Sequence, residues 1–374
     1  MTIASEHPPE ADDDARYMRA AISLGERELG RTWPNPAVGA LVVKDGVIVG
    51  RGWTKQGGRP HAERVALAEA GEAARGATLY VSLEPCSHHG RTPPCADAIV
   101  EAGISRVVSA IEDPNPLVGG QGYARLRAAG VDVREDVLRE EARRSHAGHL
   151  SVIAKKRPYV TLKMAVSANG KVALAGGKTV PVTGEETRGM VHMMRARSDA
   201  IAVGIGTVLA DDPLLTCRLP GMEDRSPLRV VFDTRLRVPL DSQLVQTARQ
   251  VPVCIVTGAE SCPEAEGMLA PLGVEVVRAP VAEGGHLDLA VALRLLGSRG
   301  ITRLMVEGGP LLAGALLKEG LVDEAVIFQS PVALPDDGLD AFSEPHGDVL
   351  EANGLELRAT HNAGADRIFV YERG

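Results

Sequence analysis

The segment from His61 to Cys95 sets the tightest limit on what this chain can fold into. It reads His61-Ala62-Glu63, then Glu84-Pro85-Cys86, then Ser87-His88-His89-Gly90-Arg91-Thr92-Pro93-Pro94, then Cys95. One imidazole and two thiolates are borderline-to-soft ligands that suit zinc, and three of them leave a fourth tetrahedral position open for water. A structural site would want a fourth Cys or His in place of Glu63. A carboxylate two residues from the histidine suits a general acid/base beside a metal-activated water.

An H-x-E element followed by P-C-x-x-C is the layout of zinc nucleobase deaminases. Here the second half departs from it, because residues 87–94 separate the two cysteines. A Cys-x-x-Cys turn brings its sulfurs together locally, whereas this loop has to travel back to the metal. Pro93 and Pro94 stiffen the return, and Pro94 is placed to open a helix running from Cys95 to Glu101. The plain alternative is two free thiols and a surface histidine. Against it, His-x-Glu and Pro-Cys occur together and in the order the chemistry needs.

A length of 374 residues exceeds most single cores and fits two domains. No apolar run approaches the ~20 residues of a membrane span, so no membrane partner is expected. Met1 to Asp14 is acidic and lacks an apolar segment, which predicts a disordered tail rather than an export signal. Five cysteines, an odd number, argue against a disulfide framework and for a reducing, cytoplasmic setting. Cys217, Cys254 and Cys262 have no ligand spacing around them. With a net charge of −8 and 3% aromatic residues, the chain shows neither the basic stripe nor the stacking rings of a nucleic-acid binder.

Periodicity predicts a helix over 17–29, strands over 37–43 and 47–53 joined at Asp45-Gly46, and a helix over 61–74. A buried strand over 78–83 then delivers Glu84-Pro85-Cys86. A helix from Pro94, a strand over 106–111, a helix over 122–129 and a strand over 131–134 complete a β/α series with helices on both faces of a sheet. One charged helix is expected from Leu138 to Lys156, leading to a boundary at Arg157-Pro158. The domains are thus expected at 15–156 and 157–374. A second series follows, with strands over 159–164, 200–203, 228–232, 253–257, 274–277, 303–306 and 324–328. Its expected helices cover 187–196, 287–296 and 311–318.

In that second series Val306-Glu307-Gly308-Gly309-Pro310-Leu311 ends a buried strand in two glycines and opens an apolar helix. Such a turn lets a phosphate approach backbone and helix N–H groups, although it also occurs purely for packing. Gly204-x-Gly206 falls short of a dinucleotide fingerprint. Ala210-Asp211-Asp212-Pro213, with Leu215 and Arg218, reads as a loop, and a solvated turn accounts for its carboxylates equally well.

Over nearly its entire length the chain resembles the bifunctional deaminase–reductases of riboflavin biosynthesis. The matching motifs are Pro34-Asn35-Pro36-x-Val38-Gly39, His61-Ala62-Glu63, the whole Glu84 to Cys95 stretch and Asp113-Pro114-Asn115-Pro116. Thr207 to Thr216 and Glu307-Gly308-Gly309-Pro310 match in the second domain. The long cysteine loop is this family's own signature. The resemblance implies a cytidine-deaminase-like three-layer α/β/α domain followed by a dihydrofolate-reductase-like α/β domain. It further implies zinc on His61, Cys86 and Cys95, Glu63 as the catalytic proton carrier, and NADPH as reductant. The implied substrate is a small phosphorylated pyrimidine, and a homo-oligomer is expected.

By the same resemblance Asn35, His88, Arg91 and Asn115 hold substrate in the deaminase site. Thr179, Arg195, Leu215, Arg218 and Glu307 do so in the reductase site. Ala165, Pro181, Thr207, Asp211, Thr234 and the run Gly309, Pro310, Leu311, Leu312, Ala313, Gly314 and Ala315 face the cofactor, and Asp211 is a candidate proton donor. The chain departs from the family pattern at Ser167-Ala168-Asn169-Gly170, at Pro181-Val182-Thr183 where a tryptophan is common, and at Thr54 where a histidine is common. The Pro181 change keeps open an active deaminase carrying a degenerate, structural reductase-like domain. An RNA-editing deaminase explains neither the cysteine loop nor the second domain, and Glu63 argues against an inert zinc scaffold.

Overall fold

The computed structural model describes residues 9–88, 93–116, 118–177 and 180–374. The chain divides into two compact units between Lys155 and Lys156. The first unit runs α1 (Pro9–Glu26), β1 (Gly39–Lys44), β2 (Val47–Trp53), α2 (Ala62–Ala70), β3 (Thr78–Val81) and α3 (Cys95–Glu101). It continues with β4 (Arg106–Ser109), α4 (Gln121–Ala128), β5 (Asp132–Arg134), α5 (Arg139–Ser145) and α6 (Ala147–Lys155). Its five strands lie in the order β2-β1-β3-β4-β5. β1 is antiparallel to β2 and β3, and β3, β4 and β5 are parallel. Asp45 and Gly46 both adopt positive φ, which the Asp-Gly hairpin turn requires.

Met18, Leu41, Leu79, Ile99 and Leu126 are fully buried at the centre of this unit. One close approach positions the site. A Cβ on Gly52 of β2 would lie 2.0 Å from the carbonyl oxygen of Ala62, so only glycine lets α2 seat its first turn against the sheet. That contact fixes where His61 and Glu63 stand.

Two expectations are corrected here. The acidic N-terminus is helical from Pro9, and Asp14, expected in a disordered tail, is 1% exposed. Its carboxylate accepts the Tyr80 hydroxyl at 2.7 Å and pairs with Arg106 and Arg134. Residues 1–8 lie outside the described residues. The charged stretch after Leu138 forms two helices, α5 and α6, which meet where His146 is buried with Nε2 3.0 Å from the Ser82 carbonyl oxygen.

The second unit runs β6 (Tyr159–Val166), β7 (Lys171–Ala173), α7 (Glu185–Ala196), β8 (Ala200–Gly204), α8 (Ile205–Asp211), β9 (Leu228–Phe232), α9 (Gln243–Gln246) and β10 (Val253–Gly258). It continues with α10 (Pro263–Leu269), β11 (Val274–Ala279), α11 (Leu289–Ser298), β12 (Arg303–Val306), α12 (Pro310–Lys318) and β13 (Glu324–Gln329). It closes with β14 (Leu339–Asp340), α13 (His346–Ala352), β15 (Leu355–Ala363) and β16 (Asp366–Arg373).

Nine strands form one sheet in the order β11-β10-β9-β8-β12-β6-β13-β16-β15, and β14 pairs with β7 separately. The run from β11 to β13 is parallel; β16 and β15 add an antiparallel edge. β12 returns late in the chain to lie between β6 and β8, which makes its C-terminal end a topological switch point. The loop expected around Asp211 is corrected: Asp211 closes α8, which the buried side chain of Val208 seats on the core. Asp212, at φ +40, ends the helix.

Candidate active sites

In the first unit three elements deliver the expected ligands to one point. His61 caps the N-terminus of α2, Cys86 follows the C-terminal end of β3, and Cys95 opens α3. Their ligand atoms all lie within 4.8 Å of one another. The Nδ1 of His61 stands 3.7 Å from the Cys86 Sγ and 3.4 Å from the Cys95 Sγ. Tetrahedral zinc, with bonds of about 2.0–2.1 Å to N and about 2.3 Å to S, has N···S edges of roughly 3.6 Å. The donor set fits zinc in both spacing and chemistry.

The electrostatics agree. The hydrogen bond from Cys95 pushes the Cys86 thiol down, and the same contact, with burial, pushes the Cys95 thiol up. Two thiolates this close repel, and a dication between them is what lets both ionise. The Cys95 N–H, at the start of α3, donates to the Cys86 Sγ at 3.3 Å. Glu63 is 3% exposed, and burial followed by the Cys86 charge holds its carboxyl above the usual range. It stands beside the donor set in a form able to carry a proton.

Around this centre Asn35 packs against Gly58, where a Cβ would lie 2.0 Å from the Asn35 Nδ2 and φ is +83°. Asn115 sits in a loop held by Asp113, whose Oδ1 accepts the Asn115 N–H at 2.9 Å and lies 3.2 Å from the His149 Nε2. His88 is exposed after the Cys86 turn, and Arg91 lies outside the described residues. Thr54, one of the departures, is 2% exposed and accepts the Val38 N–H at 3.0 Å, so it ties the end of β2 into the core.

The second unit gathers its site at the C-terminal ends of β6, β8, β9 and β12, which are neighbours in the sheet. Glu307 follows β12 and forms a two-point ion pair with Arg195, Oε1 to Nε at 2.6 Å and Oε2 to Nη2 at 3.0 Å. Arg195 also donates to the Thr216 carbonyl at 3.0 Å, and Arg218 donates through Nη1 to the Thr216 hydroxyl at 3.4 Å. Leu215, between them, is 3% exposed with its side chain in the hydrophobic core, so it has only main-chain atoms to offer a ligand.

Ala165 lies near the end of β6, Thr207 in the first turn of α8, and Thr234 just after β9. Gly309 caps α12, and a Cβ on it would lie 3.8 Å from the Thr207 hydroxyl, so these two expected cofactor residues are adjacent. Along α12 Leu311 is 92% exposed while Ala313 is fully buried, which leaves Ala313 only its main chain for contact. Asp211 is exposed at the far end of α8 and Pro181 is exposed before α7. Thr179 lies outside the described residues.

Two residues of this site escaped the sequence reading. Lys163 of β6 places its Nζ 3.8 Å from the Glu307 Oε2. Burial pushes its ammonium below the usual lysine range while Glu307 pulls it back up. The strand's alternation marks Lys163 as facing opposite to Leu162 and Met164, and a lysine in a central strand is itself a signal. His192 accepts the Arg218 N–H on Nδ1 at 3.3 Å. Burial, then Arg195 and Arg218, hold that imidazole below its usual range, so it stays neutral and able to accept.

Fold, sites and family models together fit an enzyme of two parts, a deaminase unit carrying a zinc-type donor set and a reductase unit. Residues 11–111 match the cytidine and deoxycytidylate deaminase zinc-binding region, and residues 158–361 match the RibD C-terminal domain. The riboflavin biosynthesis protein RibD of Aquifex aeolicus (strain VF5) is 41% identical over 360 residues, covering 96% of this chain and 98% of the relative. RibD of Escherichia coli (strain K12) is 42% identical over 365 residues, covering 94% and 97%. The solved structure of Acinetobacter baumannii RibD aligns with a TM-score of 0.84 at 35% identity, over 98% of this chain and 100% of that one.

A Thermotoga maritima structure described as a diaminohydroxyphosphoribosylaminopyrimidine deaminase/5-amino-6-(5-phosphoribosylamino)uracil reductase aligns with the same score, identity and coverage. The chain belongs to the RibD family of bifunctional deaminase–reductases in riboflavin biosynthesis. Its second unit is a reductase domain, and the degenerate-module alternative is not favoured.

Proposed function

We propose that the first unit hydrolyses the 2-amino group of 2,5-diamino-6-ribosylamino-4(3H)-pyrimidinone 5′-phosphate. The second unit then reduces the ribosyl chain with NADPH to give 5-amino-6-ribitylaminouracil 5′-phosphate. The observation that carries this reading is the meeting of His61, Cys86 and Cys95 beside a buried Glu63. His61, Cys86 and Cys95 would hold zinc, which when bound supplies Lewis-acid activation of the hydrolytic water. The Glu63 carboxylate takes the water's proton and hands it on to the ring nitrogen and the departing amine. Asn35, Asn115, His88 and Arg91 are assigned to orient the pyrimidine and its phosphate.

In the second unit Thr207, Gly309 and the start of α12 would hold NADPH, which when bound supplies the hydride. Arg195 and Lys163 hold Glu307 ionised against the upward push of burial. Arg195, Arg218 and the main chain at Leu215 are assigned to the phosphorylated substrate. Glu307, held ionised in its two-point ion pair with Arg195, has no proton to give and is assigned to the substrate; Asp211, exposed at the end of α8, stays the candidate proton donor.

The test is to supply the diaminopyrimidine with and without NADPH and identify the products by mass. Without NADPH the deaminated ribosyl compound should accumulate; with it, the ribityl compound. Neither product from zinc-loaded protein would overturn the reading. A deaminated product that persists with NADPH would remove the assigned reductase step.

A further inference from the structure

Arg229 is a cation in the middle of a sheet with no counter-charge among the described residues. It lies on β9, between β8 and β10, and is fully buried. Among the described residues no carboxylate pairs with it, and burial alone pushes the guanidinium down to about 10. A buried, unpaired charge is costly and calls for a reason. Its hydrogen bonds supply one. Nη1 donates to the Leu214 carbonyl at 3.1 Å and to the Thr247 hydroxyl at 2.8 Å. Nη2 donates to the carbonyls of Leu244, at 3.3 Å, and Val251.

One of those acceptors belongs to an unusual stretch of chain. Leu215 has φ +53°, a left-handed conformation that a leucine rarely adopts and that the surroundings have to enforce. The carbonyl before it is held by Arg229 from inside the core, and the carbonyl after it, that of Thr216, by Arg195 from the site. Further back, the Asp212 Oδ1 accepts the Gln243 N–H at 2.7 Å, so α9 anchors the start of the same segment.

We infer that Arg229 is a positioning residue for the reductase, holding the Leu214–Thr216 main chain in the left-handed turn that presents Leu215 and Arg218 to the phosphorylated substrate. This rests on the substrate assignment of Leu215 and Arg218 given above. Because the Leu215 side chain is committed to the core, the direction of its peptide groups is what a ligand would read. The planar fork of arginine reaches four acceptors at once, which the single ammonium of lysine cannot do.

The test compares Arg229→Met, Arg229→Lys and Thr247→Val in the full-length chain. Arg229→Met should raise both the KM and the calorimetric Kd for 5-amino-6-(5-phosphoribosylamino)uracil by roughly tenfold or more, with kcat and the KM for NADPH within about twofold. Arg229→Lys should fall between it and the parent. Thr247→Val removes one acceptor of the same guanidinium but leaves the Leu214 contact, so it should lower Tm without moving KM. Hydrogen exchange at residues 212–218 should quicken in Arg229→Met and not in Thr247→Val, whichever ligand the site takes. Equal KM changes in Arg229→Met and Thr247→Val, or unchanged exchange in the 212–218 segment, would reduce Arg229 to a core residue and overturn the inference. Should Arg229→Met not fold, Arg229→Lys is judged by the same two readouts. A parent enzyme that fails to bind this substrate while Arg229→Met still quickens exchange would defeat the substrate assignment and leave the clamp standing.

Discussion

The Glu84 Oε1 accepts the N–H of Gly122 at 2.8 Å, joining the strand end that carries Cys86 to the first turn of α4. The Glu84 Oε2 takes the N–H groups of Asp113 and Gly120 as well, so one carboxylate holds both the metal-ligand turn and the loop bearing Asn115. A Cβ on Gly122 would lie 2.1 Å from the Pro85 carbonyl oxygen. Gly122→Ala therefore has to displace Pro85 and its neighbour Cys86. Zinc affinity, measured by chelator competition, should fall by roughly tenfold or more, as when support around a metal ligand is lost.

Cys86→Ala and Cys95→Ala should each lose tightly bound zinc in elemental analysis, against one zinc per chain in the parent. Full zinc in either variant would remove that cysteine from the ligand set.

Glu63→Gln should keep the zinc and lose ammonia release by ~10² or more, because an amide cannot take the water's proton. Reduction of the supplied deaminated intermediate should continue. If reduction stopped as well, with zinc and fold intact, the two sites would not be independent.

Asp14→Asn should destabilise the chain in a pH-dependent way. Burial pushes the Asp14 carboxyl up, but Arg106, Tyr80 and Arg134 together hold it below the usual carboxylate range. A depressed folded value means the stabilisation is present above the unfolded value of about 3.9 and is lost as pH falls through the folded one. The gap in thermal midpoint between parent and variant should thus be widest near about pH 7 and close progressively below about pH 4. Near neutrality it should correspond to about 1.5–3 kcal/mol, the range for hydrogen bonds to charged groups. A gap that does not change with pH would separate Asp14 from the arginines.

Gly309→Val should leave the fold and the deaminase activity intact, since the nearest atom to a Cβ there is the Thr207 hydroxyl at 3.8 Å. NADPH binding, followed by fluorescence, should weaken by roughly tenfold or more if the cofactor phosphates sit at the start of α12. Gly308→Ala makes the contrast, because its Cβ would lie 2.8 Å from the Leu312 Cδ2 and 3.1 Å from its Cβ, so the Leu312 side chain on α12 has to move.

The meeting of His61, Cys86 and Cys95 was legible because the chemistry that calls for it is written in residue type and order, and it needed only a fold that closes the loop. The central strands were legible from their buried apolar runs, as at 230–232 and 304–306. Asp14 was not, because the partners that bury it, Tyr80, Arg106 and Arg134, are distant in sequence and nothing local announces them. β15 was not, because an edge strand with most positions exposed carries no alternation to read. Asp-Asp-Pro is a turn signal and predicts a loop at Asp211, yet Val208 supplies the core contact that makes a short helix worthwhile. The left-handed Leu215 has no sequence signature at all, since leucine is chosen there for its side chain and the backbone is imposed by distant arginines.

The place of β6 has a consequence for how the chain emerges from the ribosome. In the first unit β1 meets β2 at once, through Lys44 and Val47. β6 opens the second unit, yet its two neighbours are β12 and β13, so Tyr159 waits for Arg303 and Ala165 for Phe328. The first unit can therefore complete its sheet during translation, while the nascent second unit keeps its central strand unpaired until most of its sequence has been made. Slowed elongation or truncation before residue 303 should leave a finished deaminase unit tethered to an aggregation-prone remnant.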